Sequence, residues 1–396
     1  MSPASAPPPV VAFWRPTLAA TGAVILAAIP TFLIGAFAPA IREDIGLGQT
    51  GIGAIFTFGY LVSAAVLQFG GALADRRGSQ MAIRSGLISA VMGLALFATI
   101  STTFVLILLA FAFSRTAEAM IQPATNNLMS RGVVVTRRGT ATGIKQAAVP
   151  MATTLAGLAV PVLGDSVGWR GSFALVAIIA LPVWFALPHV APPPARTMRP
   201  KREIWAEPHI KLAAVGGGFA AAGVVTAAGF LVLAAKDAGF SDSSAGLLLA
   251  LGGAVMIPAR LAWGLLADRF SFNRFRAVAF CLGCAVVSFL LFATESKSAI
   301  VVGTFLLFAV GWSWPGLFLF AVLEQHPEAP GASTAIVQTG IRVGAFAAPL
   351  AFGWLADNRG FGTAWFLPAA AAGVATVLIF RASLAVARRS ALVIPA

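Results

Sequence analysis

Long apolar runs, separated by short polar and glycine-rich stretches, dominate the sequence. Twelve runs can be delimited, near residues 17–41, 50–74, 81–100, 104–129, 140–163, 171–188, 210–235, 242–267, 275–293, 299–323, 331–355 and 363–386. Each is long enough to cross the hydrocarbon core of a bilayer, which takes about 20 residues of helix. The runs are apolar on every face, whereas the strands of a transmembrane barrel alternate apolar and polar residues. The pattern predicts an all-α membrane protein with twelve transmembrane helices.

A proline-rich basic segment separates the first six runs from the last six. It predicts an N-terminal tail (1–16), an N-terminal bundle (17–188), a linker (189–209), a C-terminal bundle (210–386) and a C-terminal tail (387–396). Residues recur in the two halves at a constant offset of 192: Pro123 and Pro315, Gly139 and Gly331, Gln146 and Gln338, and Asp165 and Asp357. Such a register indicates a parallel repeat. The expected architecture is two pseudo-symmetric six-helix bundles.

Composition agrees with a membrane protein, since 59% of the residues are apolar and 10% are charged, against about 25% charged in soluble domains. A net charge of +13 is also found in proteins that bind nucleic acid. The basic residues, however, form short clusters between the runs and no contiguous basic face, so nucleic acid is not expected as a partner. Cys281 and Cys284 have no second pair to complete a metal site and are interpreted as packing residues. No metal or cofactor is predicted.

Lysine and arginine predict the orientation, because positive loops stay on the cytoplasmic side. If the N-terminus is cytoplasmic, cytoplasmic segments hold 18 of the 27 basic residues and outer loops hold 5. These cytoplasmic segments include the basic residues at the ends of the runs, and the remaining 4 lie farther inside the runs. We therefore expect a multi-pass protein of the cell inner membrane with both termini in the cytoplasm.

Residues 71–78, which read GALADRRG, lie between the second and third runs, and a weaker copy, GLLADR, occupies 264–269. Both resemble the GxLaDrxGr signature of the major facilitator superfamily. Residues 115–119 and 169–173 (WRGSF) resemble two further segments of that family. The resemblance covers almost the whole chain. It implies the twelve-helix fold of that superfamily and secondary transport.

The signature loop is expected to act as a gate. Gly71 would allow close helix approach, Gly78 would allow a tight reversal, and Asp75 would pair with Arg76 or Arg131. In the second copy, Asp268 and Arg269 occupy the matching positions. In the family, this loop is thought to lock the inner face while the cavity opens outward.

Apart from the charges assigned to the ends of the runs, five ionisable residues lie inside them: Arg115, Glu118, Lys145, Arg260 and Arg342. Each costs about 2.5 to 3.5 kcal/mol on insertion scales and is therefore a functional candidate. In the family, helices three, six, nine and twelve support the bundle from outside and the others line a central cavity. None of the five residues falls on a supporting helix, which favours a shared water-filled cavity.

Arg115 and Glu118 are three residues apart on one helix and can pair. The pair is either structural or makes Glu118 the proton-coupling residue, with Arg115 modulating it. Arg342, near mid-depth, is the first choice for binding an anion through paired hydrogen bonds. Arg260 begins an RxxxGxxxD stretch that resembles one in monocarboxylate and oxalate-type carriers. Two interpretations are open for Lys145 and Arg260: they bind the substrate, or their side chains extend to the lipid headgroups.

Polar and aromatic residues on the same helices are further candidates for the pocket. They are Tyr60, Gln122, Gln146, Trp312 and Gln338. The aromatic ones are equally consistent with bundle packing.

An enzyme would need a nucleophile with a base, paired carboxylates or metal ligands at depth, and the runs supply none of these. A channel would need a filter-like segment, which is also absent from the sequence. We therefore expect a monomeric secondary transporter that moves a small organic anion together with protons by alternating access. The alternative is proton-driven efflux of drugs or other amphipathic compounds.

Overall fold

The structure is a computed structural model that describes residues 11–189, 201–270, 272–326 and 330–393. Parts of the expected tails and of the expected linker lie outside these ranges. Every regular element in the described ranges is helical. The first half consists of α1 (Val11–Ala36), α2 (Ala38–Ile45), α3 (Gln49–Arg77), α4 (Ser79–Thr99), α5 (Phe104–Gly132), α6 (Arg138–Gln146), α7 (Ala148–Ile178) and α8 (Ala180–Ala186).

The second half follows the short helix α9 (Lys201–Ala206). It consists of α10 (Pro208–Asp237), α11 (Asp242–Arg269), α12 (Arg274–Ala293), α13 (Lys297–Leu306), a π-helical turn (Leu307–Gly311), α14 (Trp314–Gln325), α15 (Pro330–Ala364) and α16 (Phe366–Val393). Several helices therefore join to form one crossing, as α13, the π-helical turn and α14 do. The two halves are the two six-helix bundles of an all-α membrane protein.

Within the described residues, 11 helical stretches are long and apolar enough to span a membrane. One of them, Arg138–Ala186, has 49 residues, which at 1.5 Å per residue is about 70 Å and more than twice the hydrocarbon thickness. It reverses at Gly168, whose φ of +67° is not helical. This stretch therefore makes two crossings, and the predicted number of twelve is confirmed.

The repeat predicted from the sequence is visible in the backbone. Gly360, which lies 192 positions after Gly168, also has a positive φ, +79°, and interrupts α15 in the same way. A left-handed conformation favours glycine because glycine has no Cβ. The two halves therefore turn at matching residues.

Several predicted runs are broken, and the sixth is divided at Ile179 between α7 and α8. The first run ends at Ala36 and not near 41, because Pro39 lies in the first turn of α2 and proline cannot continue the preceding hydrogen-bond ladder. The fifth run is divided at Ala147. The tenth changes to π-helical geometry and stops before Trp314. Apolar periodicity identified these crossings without locating their internal breaks.

We call the side where α1 begins and α14 ends the terminal face, and the side where α3 and α11 begin the opposite face. The halves meet closely toward the opposite face. A Cβ placed on Gly53 would lie 2.2 Å from the carbonyl oxygen of Pro349, and one on Gly353 would lie 2.4 Å from that of Gln49. Only glycine fits such contacts, so α3 and α15 are in direct backbone contact there.

The pair formed by α7 and α11 is packed in the same way. A Cβ on Gly157 would lie 2.4 Å from the backbone nitrogen of Ala250, and one on Gly253 would lie 2.7 Å from that of Thr154. Closer to the terminal face, a Cβ on Gly139, Gly143 or Gly264 would meet nothing within 4 Å. The halves are thus closed toward the opposite face and separated toward the terminal face.

Candidate functional site

The centre of the protein contains an ion pair on α5. Arg115 and Glu118, one helical turn apart, form it through Nη2 and Oε2. Their side chains are 3% and 18% exposed. Charges at this depth need partners because burial removes their hydration. The pairing predicted from the i, i+3 spacing is present.

Arg115 is also held by α1 and α3. Its Nη1 donates a hydrogen bond of 3.0 Å to the hydroxyl of Thr31. Its guanidinium carbon lies 4.1 Å from the centre of the Tyr60 ring, which is within cation–π range. Tyr60 therefore contacts the central ion pair through its ring face, and its predicted role in substrate binding stays a prediction.

Arg342 reaches this group from α15 in the other half. Its Nη1 donates a 2.5 Å hydrogen bond to Oγ of Ser63 and lies 3.9 Å from Oε2 of Glu118. Ser63, which is fully buried, in turn donates a 3.4 Å hydrogen bond to the same carboxylate oxygen. Two arginines, one from each half, thus approach one carboxylate. We call Thr31, Tyr60, Ser63, Arg115, Glu118 and Arg342 the central cluster.

Ser63 and Thr31 were not predicted from the sequence. Ser63 lies three residues after Tyr60 and so shares its helix face. That spacing could have identified it. Thr31 follows Pro30 in a helix that has no charged residue near it along the chain, and nothing in the sequence distinguishes it from the other threonines.

The central cluster carries an excess of positive charge, with two guanidinium groups and one carboxylate. The Nε atoms of Arg115 and Arg342 are buried and have no hydrogen-bond partner among the described residues. A buried donor without a partner costs about 1–3 kcal/mol. The cluster can therefore accept a further anion, which would supply acceptors and offset the charge.

A cavity of about 370 Å³ lies between the halves, nearer the terminal face. Its volume is within the range of ligand pockets, about 300–1,000 Å³. Arg260 lines it and donates a 3.2 Å hydrogen bond to the carbonyl oxygen of Gln146, which joins α11 to α6. Its lining includes Gly139, Thr142, Gly143, Gln146, Pro150, Arg260, Trp263, Gly264, Ser313, Pro315 and Phe320.

The predicted substrate residues therefore do not form one site. Arg260 and Gln146 lie on the cavity, whereas Arg342 belongs to the central cluster and does not line the cavity. Lys145 lies on neither, because its side chain is buried and its Nζ donates to Oδ1 of Asn126. Its ammonium bonds within the protein, which does not fit an extension to the headgroups.

Within the described residues, the hydrogen bonds, ion pairs and cation–π contact that join the central cluster do not include Trp312, Gln122 or Gln338. Trp312 is buried, and its ring centre lies 6.2 Å from that of Phe32. Phe32 is the neighbour of Thr31, which accepts a hydrogen bond from Arg115. Gln122 and Gln338 are half-buried. Trp312 packs α1 against the second half, in line with the packing interpretation.

The signature loop differs in part from the expectation. Asp75 accepts a 2.9 Å hydrogen bond from Asn127, and the described residues show no ion pair between Asp75 and Arg76 or Arg131, both of which are exposed. Gly78 has a φ of +90° and makes the predicted reversal between α3 and α4. In the second copy, Arg269 is exposed, and the side chain of Asp268 lies outside the described residues.

The prediction for Gly71 was wrong in this conformation. A Cβ on Gly71 would meet nothing within 4 Å, whereas one on the preceding Gly70 would lie 2.5 Å from the carbonyl oxygen of Ala119. Gly71 begins the motif and Gly70 precedes it, and the register of α3 against α5 decides which of the two glycines is in contact.

Three curated relatives match parts of the chain. An MFS-type efflux pump of Mycolicibacterium smegmatis is 27% identical over 39% of this chain and 36% of its own. The hexuronate transporter of Bacillus subtilis is 26% identical over 38% and 35%. Arabidopsis thaliana "Probable anion transporter 3, chloroplastic" is 30% identical over 36% and 28%. The matches span about a third of these relatives' length.

Solved transporters share the fold over nearly the whole chain. A bacterial homolog of the human lysosomal transporter Spinster, in an inward-facing and occupied conformation, has a TM-score of 0.73 at 17% identity, covering 93% of this chain and 96% of its own. A D-xylose–proton symporter has a TM-score of 0.73 at 14% identity, covering 93% and 97%. The family model described as Major Facilitator Superfamily matches residues 20–339 and 213–393. This multi-pass membrane chain belongs to the major facilitator superfamily.

Proposed function

We propose that the protein moves a small organic anion of the carboxylate class across the cell inner membrane, together with protons, by alternating access. The observation that carries the proposal is the central cluster, where Arg115 and Arg342 approach the single carboxylate of Glu118 from the two halves. A cluster with one more cation than anion attracts a negatively charged substrate. It disfavours lipophilic cations.

Arg342 is the residue proposed to bind the substrate. Its side chain is 14% exposed and its Nε has no partner among the described residues. A guanidinium binds a carboxylate through two parallel N–H bonds. The substrate carboxylate would take the position that Glu118 now approaches, so that the internal carboxylate and the substrate compete for one cation.

This competition gives a route to proton coupling. When Glu118 takes up a proton, its charge no longer offsets Arg115 and Arg342, and the two guanidinium groups favour an external anion. When the substrate leaves, the free arginines favour the ionised form of Glu118 and its proton is released. Anion and proton therefore move in the same direction.

The closed and open ends support alternating access. The halves are in contact toward the opposite face, and the cavity with Arg260 lies toward the terminal face. If the termini are cytoplasmic, as the distribution of basic residues predicts, the cavity opens inward. We propose that bundles 17–188 and 210–386 rock about the central cluster, and that one chain suffices for transport.

The names of two relatives agree with an anionic substrate. One is a hexuronate transporter and one is named as an anion transporter. Hexuronates carry a carboxylate, the group proposed to bind Arg342. These relatives support the chemical class and do not name the substrate.

Proton-driven efflux of an amphipathic compound is the second candidate function. It is favoured by the efflux-pump relative and by an apolar groove of about 650 Å³ between α10, α15 and α16. Small and aliphatic residues line most of this groove. An efflux substrate would use the groove and would not need Arg342.

The experiment is a thermal-stability screen of purified protein with mono- and dicarboxylates, inorganic anions, sugars and lipophilic cations. A ligand that binds only the folded state raises the melting temperature. We expect one class of carboxylates to stabilise the wild type and the Arg359→Gln control, which changes an exposed arginine, but not Arg342→Gln. Arg342→Lys should respond weakly, because an ammonium lacks the planar fork.

Two outcomes would contradict the anion assignment. One is stabilisation by lipophilic cations or neutral amphiphiles alone. The other is an unchanged carboxylate response in Arg342→Gln. Either result would make efflux the leading function.

A further inference from the structure

Two histidines and one glutamate meet at the terminal face of the second half, away from the central cluster. Glu207 precedes α10, His209 lies in its first turn, and His326 immediately follows α14. The histidines are 117 residues apart in the sequence. They are 2% and 0% exposed. The fold therefore brings two of the chain's three histidines together in a buried place.

The donor atoms surround a single point. The two Nε2 atoms are 3.1 Å apart, and Oε2 of Glu207 lies 3.7 Å from that of His209 and 3.8 Å from that of His326. The centre of this triangle is about 2.1 Å from each atom, and zinc bonds to histidine nitrogen and carboxylate oxygen measure about 2.0–2.2 Å. The gap has the size of one metal ion.

The two imidazoles are hydrogen-bonded to each other. The ring centres are 5.2 Å apart and the ring planes differ by 9°, so the two Nε2 atoms point at each other and can share one proton. Oε2 of Glu207 is too far from either nitrogen for a hydrogen bond. A metal ion would replace the shared proton, turn the rings toward the carboxylate and bond all three groups.

We propose that His209, His326 and Glu207 form a binding site for a divalent transition-metal ion of the zinc class. Two imidazoles and one carboxylate suit zinc, whereas calcium and magnesium prefer oxygen ligands alone. The Glu207 side chain is 19% exposed, which gives an ion a way in. A bound ion would tie the start of α10 to the end of α14 and so fix the terminal face of the second half.

The site is independent of the proposed transport function. It lies at helix ends, and none of its three residues lines the cavity or belongs to the central cluster. Its role is structural: the ion stabilises the folded second half. It is not the transported substrate.

The test uses full-length protein in detergent, with any histidine tag removed because a tag binds the same metals. The protein is stripped with EDTA, and its melting temperature is measured during titration with Zn²⁺. We expect a saturable rise in the wild type and in His189→Gln, which removes the third histidine. In His209→Gln and His326→Gln the affinity should fall at least about tenfold, since even outer-shell partners contribute that much.

Two further measurements keep the test decisive if a histidine variant folds poorly. Glu207→Gln keeps the size of the side chain and should weaken Zn²⁺ binding while the protein remains monodisperse. Co²⁺ titrated into the wild type should give visible absorption bands of a four-coordinate site, which Zn²⁺ abolishes. The proposal is overturned if Zn²⁺ leaves the wild-type melting temperature unchanged, if no Co²⁺ bands form, or if His209→Gln and His326→Gln respond like the wild type.

Discussion

Asp357 in α15 holds the first turn of α3 through Thr50: its Oδ2 accepts hydrogen bonds from the backbone nitrogen of Thr50 at 2.7 Å and from the hydroxyl at 2.6 Å. Its Oδ1 accepts a third bond, from the backbone nitrogen of Gln49, at 2.7 Å. The first N–H groups of a helix have no partner within it and carry partial positive charge. One carboxylate therefore joins the two halves at the opposite face, beside the glycine contacts between α3 and α15.

We expect Asp357→Ala to weaken this closure. Hydrogen bonds that involve a charged group contribute about 1.5–3 kcal/mol each, so the population should shift toward a form open at the opposite face. Spin labels at Glu43 and Ser243, both exposed and on different halves, would report this as a longer distance. Cys281 and Cys284 would first be replaced by serine.

Asp165→Ala is the matched control, because Asp165 is the repeat partner of Asp357 at an offset of 192 and its side chain is exposed. We expect its distance distribution to match that of the wild type. An equal shift in both variants would mean that the effect comes from a general loss of negative charge at the opposite face. If the distance between the labels is unchanged in Asp357→Ala, Asp357 has no role in closing the opposite face.

This pair also shows how far the sequence predicts the structure. The offset between Asp165 and Asp357 predicted the repeat, and helical reversals at Gly168 and Gly360 share that offset. Only the structure distinguishes the two aspartates, because the contact of Asp357 depends on how the halves are docked. A repeat in the sequence does not specify an asymmetric arrangement of its copies.

The central cluster was predictable in part for a similar reason. Arg115 and Glu118 could be paired from their spacing on one helix, but the approach of Arg342 to Ser63 joins residues 279 apart. Because a charge inside the membrane is costly, each charged residue in a run could be identified as a functional candidate. The sequence could not show which charged residues contact each other, since that depends on how each helix is rotated about its axis. The same uncertainty in rotation explains why Gly70, and not Gly71, packs against α5.

Glu118→Gln should separate anion binding from proton coupling. The amide keeps the shape of the side chain but cannot take up or release a proton, and it no longer offsets Arg115 and Arg342. We expect proteoliposomes with this variant to exchange a bound carboxylate across the membrane but to lose accumulation driven by a pH gradient. Radiolabelled uptake with and without the gradient measures both activities.

Glu324→Gln is the control for this variant. Glu324 lies at the end of α14 and pairs with Arg274 at 2.8 Å, outside the central cluster. Proteoliposomes with Glu324→Gln should still accumulate the carboxylate when a pH gradient is applied. Gradient-driven accumulation that persists in Glu118→Gln would assign coupling to another group.

Tyr60 is expected to act through its ring and not through its hydroxyl. The Arg115 guanidinium lies over the ring at 4.1 Å, and such a contact contributes about 0.5–2 kcal/mol depending on desolvation. Tyr60→Phe should therefore keep the wild-type melting temperature, whereas Tyr60→Leu should lower it. A loss of stability in Tyr60→Phe as large as that in Tyr60→Leu would show that the hydroxyl is required.

The contact between α10 and α15 should be highly sensitive to a single methyl group. A Cβ on Gly344 would lie 1.8 Å from the carbonyl oxygen of Gly218 and 2.3 Å from its carbonyl carbon, so backbone would have to move. Overpacking typically costs about 1–3 kcal/mol, and we expect Gly344→Ala to reach at least the upper end because no flexible side chain can give way. Gly373→Ala in α16, where a Cβ would meet nothing within 4 Å, should melt like the wild type. If the two variants melt at the same temperature, close backbone packing between α10 and α15 does not stabilise the second half.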